Sequence, residues 1–360
     1  MKNLLIISGG IEAVPGIKIA KKMGLHVIVS DANPNAPGFE YSDDNIIAST
    51  YNIDETLLKV NNYNNSVRKI DGVMCIASDV PLTVASVANE LKLPGITIKS
   101  AELAMDKMAM KLRFSKDKIP IPNFLQLDNI SHLKKTINDW GYPVVIKPVD
   151  SRGARGVLLL TEKVDLKWAW DHSRKNSPTG RVMLESFLKG SQISTESIMV
   201  DGICYTLGFS DRNYEYLEKY APFIIENGGD LPSFLSKEIQ EKVKKVVGKA
   251  ALSMGIHNGI VKGDVVVSNG EPYIIELAAR LSGGYFCTHE IPFNTGINFV
   301  KYAIKIAIGE KINPVELVPK YNKFISQRYF FPKPGIIHSI HGIENLQNNN
   351  SIKYFSLHIK

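Results

Sequence analysis

The chain has 360 residues, 44% hydrophobic and 22% charged, the balance of an ordinary globular protein with room for two or three domains. Its formal net charge of +7 suits anionic ligands, but the basic residues are scattered and form no aromatic-interleaved stripe of the kind that reads nucleic acid. The three cysteines lack metal-ligand or redox spacing, which points to a reducing cytoplasm, no apolar run reaches a membrane span, and the apolar part of residues 1–10 is too short for a signal peptide.

Residues 1–100 alternate strand and helix. Residues 4–7 read as a buried strand, 14–23 as a helix, and 26–30 as a strand ending at Asp31. A helix starts over 55–60, 72–76 is a strand that buries Cys75, and 81–91 is a helix. This order predicts a parallel sheet with right-handed crossovers. Gly9, Gly10 and Gly16 do not follow the Gly-x-Gly-x-x-Gly spacing, so a nicotinamide-binding domain with Asp31 on a ribose is a weak rival reading. Residues 101–118 read as one linking helix in which Asp106-Lys107 opens the stretch 108–115. Pro120 and Pro122 close it, because proline cannot continue a helix.

Residues 141–148, Gly-Tyr-Pro-Val-Val-Ile-Lys-Pro, form an apolar strand ending in Lys147. It runs into Ser151-Arg152-Gly153-Ala154-Arg155-Gly156, whose backbone N–H groups can wrap a phosphate while the arginines add charge. The same loop could be a plain hairpin tip. Residues 182–190 form a strand ending in Glu185, followed by Phe187-Leu188 and Gly190. Residues 193–200 read as a strand carrying Glu196, and 237–254 and 298–308 as helices.

Between those helices, Asp264 and Glu276 bracket two β-branched runs around Ser-Asn-Gly-Glu-Pro, a hairpin signal. Two registers are open. A five-residue loop pairs Val267 with Tyr273 and sets Asp264 opposite Glu276, where two carboxylates repel unless a cation sits between them. A two-residue Asn269-Gly270 turn sets Asp264 opposite Ile275 and sends the acids to opposite faces. Residues 345–351 form a polar turn, and 352–359 read as a strand at which the chain stops. Its free edge leads to the expectation of a truncated chain or an edge covered by a partner.

Taken in order, these segments resemble the ATP-grasp superfamily, ATP-dependent carboxylate–amine ligases that activate a carboxylate as an acyl phosphate. The resemblance spans essentially the whole chain and implies an α/β protein: a Rossmann-like N-terminal domain over 1–100, followed by an ATP-grasp fold with a mobile lid. In that scheme 101–123 is the linking helix and entry, 124–190 the lid, 191–310 the metal and catalytic subdomain, and 311–360 a C-terminal element. The resemblance implies that Lys107 and Lys147 hold the nucleotide phosphates and that Ser151, Arg152, Gly153, Arg155 and Gly156 close over them. It gives Glu185 the adenine amino group, the N–H of Leu188 (beside Phe187) the ring, and Gln192 the ribose. Asp264 and Glu276 would share Mg²⁺, with Mn²⁺ as a substitute, which requires the odd-length loop centred on Gly270. Arg280 would face the acyl phosphate as a catalytic residue, together with Lys147.

Two positions depart from the family pattern. Gln192 stands where an acid usually grips the ribose, and a neutral amide holds a diol less strongly. Ala278 stands where an asparagine usually adds a metal ligand, leaving that position to water or substrate. Lys111, one turn beyond Lys107, competes for its role, and His289 and Glu290 are proton-transfer candidates near the acceptor, equally readable as core-edge residues. The implied partners are ATP, a small-molecule carboxylate and an amine, with no nucleic acid or membrane, and a homodimer is the candidate assembly. Activation of bicarbonate or formate, a nucleotide sensor without turnover, and a nicotinamide-dependent oxidoreductase are the alternatives.

Overall fold

A computed structural model describes residues 1–357. Strands β1 (Asn3–Ile7), β2 (His26–Asp31), β3 (Asp44–Ile47) and β4 (Gly72–Cys75) form a parallel sheet in the order β3-β2-β1-β4. Because side chains alternate along a strand, β1 feeds two cores. Leu5 and Ile7 pack with Ile28, Val60 and Val87 on one face. Leu4 and Ile6 pack with Val27, Ile17 and the distant helix Phe299–Ala307 on the other. That helix seats closely: a Cβ on Gly72 would come within 2.5 Å of the Ala307 carbonyl.

The predicted linking helix over 101–118 is two helices, Ile98–Met105 and Lys107–Lys116. Asp106 breaks it. Its backbone is extended (φ −119°, ψ 103°) and its carboxylate accepts from Ala109 N at 2.8 Å, so it is spent as an N-cap.

A second sheet has the order β5-β8-β6-β7, all antiparallel, from β5 (Phe124–Leu127), β6 (Val144–Pro148), β7 (Leu158–Leu160) and β8 (Val182–Ser186). Val144 and Ile146 of β6 and Val182 and Leu184 of β8 join Leu133, Ile137 and Trp170 in its core. The alternate residues, among them Lys147 and Glu185, are left for the opposite face.

The third sheet is six-stranded, β13-β12-β9-β10-β11-β14, from β9 (Ser191–Val200), β10 (Ile203–Asn213), β11 (Gly228–Leu231), β12 (Gly259–Ser268), β13 (Glu271–Ala278) and β14 (Ile325–Arg328). Val261, Val265, Ile274 and Leu277 pack under helices Lys107–Lys116 and Lys237–Ser253, through Met110, Phe114, Val243 and Val247. The strand expected at 352–359 is not formed over 352–357, and 358–359 lie outside the described residues. The C-terminal region instead supplies β14, which pairs with β11 and is itself the edge strand of that sheet. Among the described residues no helix is long and apolar enough to cross a membrane.

Candidate active site

The hairpin β12–β13 settles its register in a way neither sequence reading anticipated. Ser268 pairs with Glu271, so the turn is Asn269-Gly270, with φ of 52° and 78°. Both central residues are left-handed, as a two-residue primed turn demands. The expected five-residue loop is therefore absent. Val265 nevertheless pairs with Ile274 while Asp264 pairs with Glu276, because Ile275 is an extra residue on β13. This β-bulge shifts the register by one and brings the two carboxylates opposite each other.

These acids line a cavity of about 1450 Å³ that the second and third sheets enclose. Lys107 and Lys147, the loop residues Ser151, Arg152, Gly153 and Arg155, and the Glu185–Leu188 segment also line it. Gln192, Ala278 and Arg280 complete its wall. Gly156 turns away from it, toward a second hollow of about 490 Å³ behind the loop. A Cβ there would come within 2.8 Å of Pro148 Cγ, and φ is +75°, so that position is tied to the loop's shape.

The lysines divide between two tasks. Lys107 Nζ lies 3.2 Å from Glu276 Oε1 and donates to the Ser151 carbonyl at 2.7 Å, linking the hairpin acid to the glycine loop. Lys111 is fully buried beneath it, donating to the Ile274 carbonyl at 3.0 Å and standing 3.0 Å from Glu185 Oε1. Burial pulls its pKa down to about 8. Lys147 Nζ is 2.7 Å from Glu185 Oε2. Burial alone would raise the Glu185 pKa; Lys111 and Lys147 outweigh it and hold the carboxyl below its ordinary value. Glu185 is 3% exposed and is held between two ammonium groups, Lys111 on Oε1 and Lys147 on Oε2.

Asp264 is embedded in positive charge. Lys262 Nζ lies 2.5 Å away and Arg212 Nη1 2.6 Å away, and Arg212 also pairs with Glu226. Against burial, which would raise it, Lys262 and then Arg212 bring the Asp264 pKa down to about 2. Arg280 pairs with Asp79 at 2.5 Å. The loop after Arg280 is held by Glu196, which accepts from Ser282 N at 2.9 Å and from the Ser282 hydroxyl. Burial pushes Glu196 up to about 7, which those hydrogen bonds only partly counter.

Arg212, Lys262, Glu226 and Asp79 escaped the sequence reading. Arg212 sits on β10, whose Tyr205, Leu207 and Phe209 alternation was a readable strand signal. Asp79 comes from the loop after β4 by a long-range contact with no local signature. The cysteines take no part: Cys75 is pushed up to about 12 and Cys287 well above its ordinary value, both by burial.

Two sheets clasp a cavity, with a glycine loop on one and a paired carboxylate hairpin on the other, groups of the kind that suit phosphate and a hard cation. Residues 104–284 match the family described as the ATP-grasp domain, and the chain belongs to that family. It is 29% identical over 195 residues to the formate-dependent phosphoribosylglycinamide formyltransferase of Prochlorococcus marinus, covering 52% of this chain and 48% of that protein. It is 25% identical over 223 residues to a D-alanine–D-alanine ligase of Azoarcus, covering 61% of this chain and 71% of that one. The chain thus spans about half the length of the first relative and just over two thirds of the second. In fold it is similar to the L-amino acid ligase of Bacillus licheniformis, with a TM-score of 0.81 and 22% identity over 97% of this chain and 85% of that one.

Proposed function

We propose that the protein is an ATP-dependent ligase that activates a small-molecule carboxylate as an acyl phosphate for attack by an amine. One observation carries this reading: Asp264 and Glu276 face each other across a bulged hairpin, in one cavity with Lys107, Lys147, Arg280 and the glycine loop. The carboxylates suit a hard divalent ion that takes one or two acids plus phosphate oxygens and water. No group of three or more His, Cys, Asp or Glu side chains able to hold a metal occurs among the described residues, so such an ion would rely on phosphate oxygens to complete its shell. The Glu185 carboxylate lines the cavity and can accept from an adenine amino group, and Lys147 beside it fits a phosphate.

In this reading Asp264 and Glu276 would hold Mg²⁺, which would supply positive charge at the transferring phosphoryl group. The chain's own cations do the same: Lys107 and Lys147 from one side, Arg280 from the other. Lys107 is already shared between Glu276 and the Ser151 carbonyl, so loop closure and charge placement are coupled. Residues 124–190 act as the lid over residues 191–310, excluding water that would hydrolyse the activated acid. The first, Rossmann-like domain contributes Asp79, which orients Arg280.

Glu276→Gln removes charge while nearly preserving shape. It should abolish acid-dependent phosphate release from MgATP and leave the circular-dichroism melt intact. Full turnover by the variant would defeat the mechanism. Assaying wild type over amino acids, formate and bicarbonate identifies the acid: release with formate or bicarbonate alone would replace the amide-forming reading by a formate- or bicarbonate-activating one.

A further inference from the structure

Behind the main cavity is a smaller hollow of about 220 Å³, too small for a nucleotide. The two share Arg212, Glu226, Lys262 and Arg280, so the hollow opens on the cationic wall. Its other end is walled by Glu290, Phe286 and Tyr329. Glu290 is 6% exposed and has neither a side-chain hydrogen bond nor an ion pair among the described residues. It ends a single π-helical turn, where Glu290 N donates to the Tyr285 carbonyl at 3.2 Å. Such turns insert one extra residue and are frequent at functional sites.

The neighbouring acids are already satisfied. Asp230 receives Arg328 through two nitrogens at 3.0 and 2.9 Å, and Glu196 receives Ser282. Glu290 alone is left open, and its surroundings carry negative charge from Glu196 and Asp230. A buried carboxylate needs a cation or a proton, and this one has no cation from the chain. Where the hollow meets the main cavity its wall carries Arg212, Lys262 and Arg280, ion-paired with Glu226, Asp264 and Asp79, and elsewhere it carries the unpaired acid Glu290. An amino acid has the matching polarity.

We propose that this hollow is a specificity subsite that takes the protonated amine of an amino acid substrate, with Glu290 as the residue that recognises it. The inference rests on the ligase reading in one respect: the carboxylate of the same molecule lies toward Arg212, Lys262 and Arg280, where it is activated. The 220 Å³ volume selects a small molecule, and an ammonium bound there supplies the cation that the chain withholds from Glu290 and displaces the proton it otherwise keeps.

The test compares acid-dependent phosphate release for alanine and for propionate, its deaminated isostere, in wild type and Glu290→Gln. Wild type should favour alanine at least tenfold in kcat/KM, and the variant should lose at least tenfold of that ratio. A variant in which both acids lose equally, leaving the ratio unchanged, would assign Glu290 a structural role and overturn the proposal. Silence of every acid would instead overturn the ligase reading. The subsite is then judged by melting: n-propylammonium chloride should raise the wild-type midpoint more than equal sodium chloride or n-propanol, and should not do so in the variant. The wild-type comparison stands even if the variant does not fold. A propanol shift equal to the ammonium shift, or no shift at all, would reject the site.

Discussion

Burying a carboxyl without a counter-ion leaves a pH signature. Burial, with Glu196 and Asp230 nearby, raises the Glu290 pKa to about 8 from an ordinary 4.5. Between pH 4.5 and about 8 the folded chain therefore keeps a proton that the unfolded chain has released, and stability falls as pH rises through that window. Glu290→Gln removes this titration while keeping the shape. Relative to wild type, the variant should gain up to about 4 kcal/mol in urea unfolding between pH 5 and pH 9, since each pH unit of differential protonation is worth about 1.4 kcal/mol. Parallel stability curves would mean that Glu290 has a cationic partner in solution. Glu185 is equally buried and shifts the opposite way, because Lys111 and Lys147 stand beside it. Burial sets the size of such an effect and the neighbouring charge sets its sign.

At the scale of elements, the hairpin shows what the sequence could reveal and what it could not. The two β-branched runs, the turn residues and the candidate acids were legible from composition and spacing. Their register was not, because a bulge is decided by the neighbouring strands and the helices beneath. Ile274 N donates to the Pro120 carbonyl at 2.9 Å and its own carbonyl receives Lys111, so the outer strand is pinned from outside the hairpin. The two-residue turn has its own consequence. Gly270, at φ 78°, would be strained by a β-branched side chain, whereas the centre of a five-residue loop would tolerate one. Gly270→Val should therefore cost about 1–2 kcal/mol in urea unfolding, the left-handed penalty for one residue. Nucleotide affinity should be retained, since Asp264 remains paired on its other side with Ser194 of β9. A neutral substitution would argue for a longer, looser loop in solution.

For the whole molecule, the same distinction applies over longer distances. Lys147, Glu185 and the glycine loop were readable because each belongs to a short local pattern. Asp79 on Arg280, and helix Phe299–Ala307 against the first sheet, depend on how distant segments meet. One such meeting bears on the proposed lid. The Arg152 guanidinium of the glycine loop lies 4.3 Å from the centre of the Tyr51 ring, which the first domain presents at 58% exposure. A cation over an exposed aromatic face is worth about 0.5–1 kcal/mol, enough to bias a loop without locking it. The stack therefore joins the glycine loop to the segment before Ile53–Ser66, and if that loop closes over phosphate as proposed, the stack should favour closure. Tyr51→Ala removes the ring and leaves every proposed nucleotide contact in place. With MgATP bound, backbone amides of residues 152–156 should exchange roughly two- to fivefold faster in the variant, which is that energy expressed as a population ratio. Amides of β6, held in the sheet core, should be unchanged. Equal exchange in both proteins would show that the loop closes on the nucleotide alone, without help from the first domain.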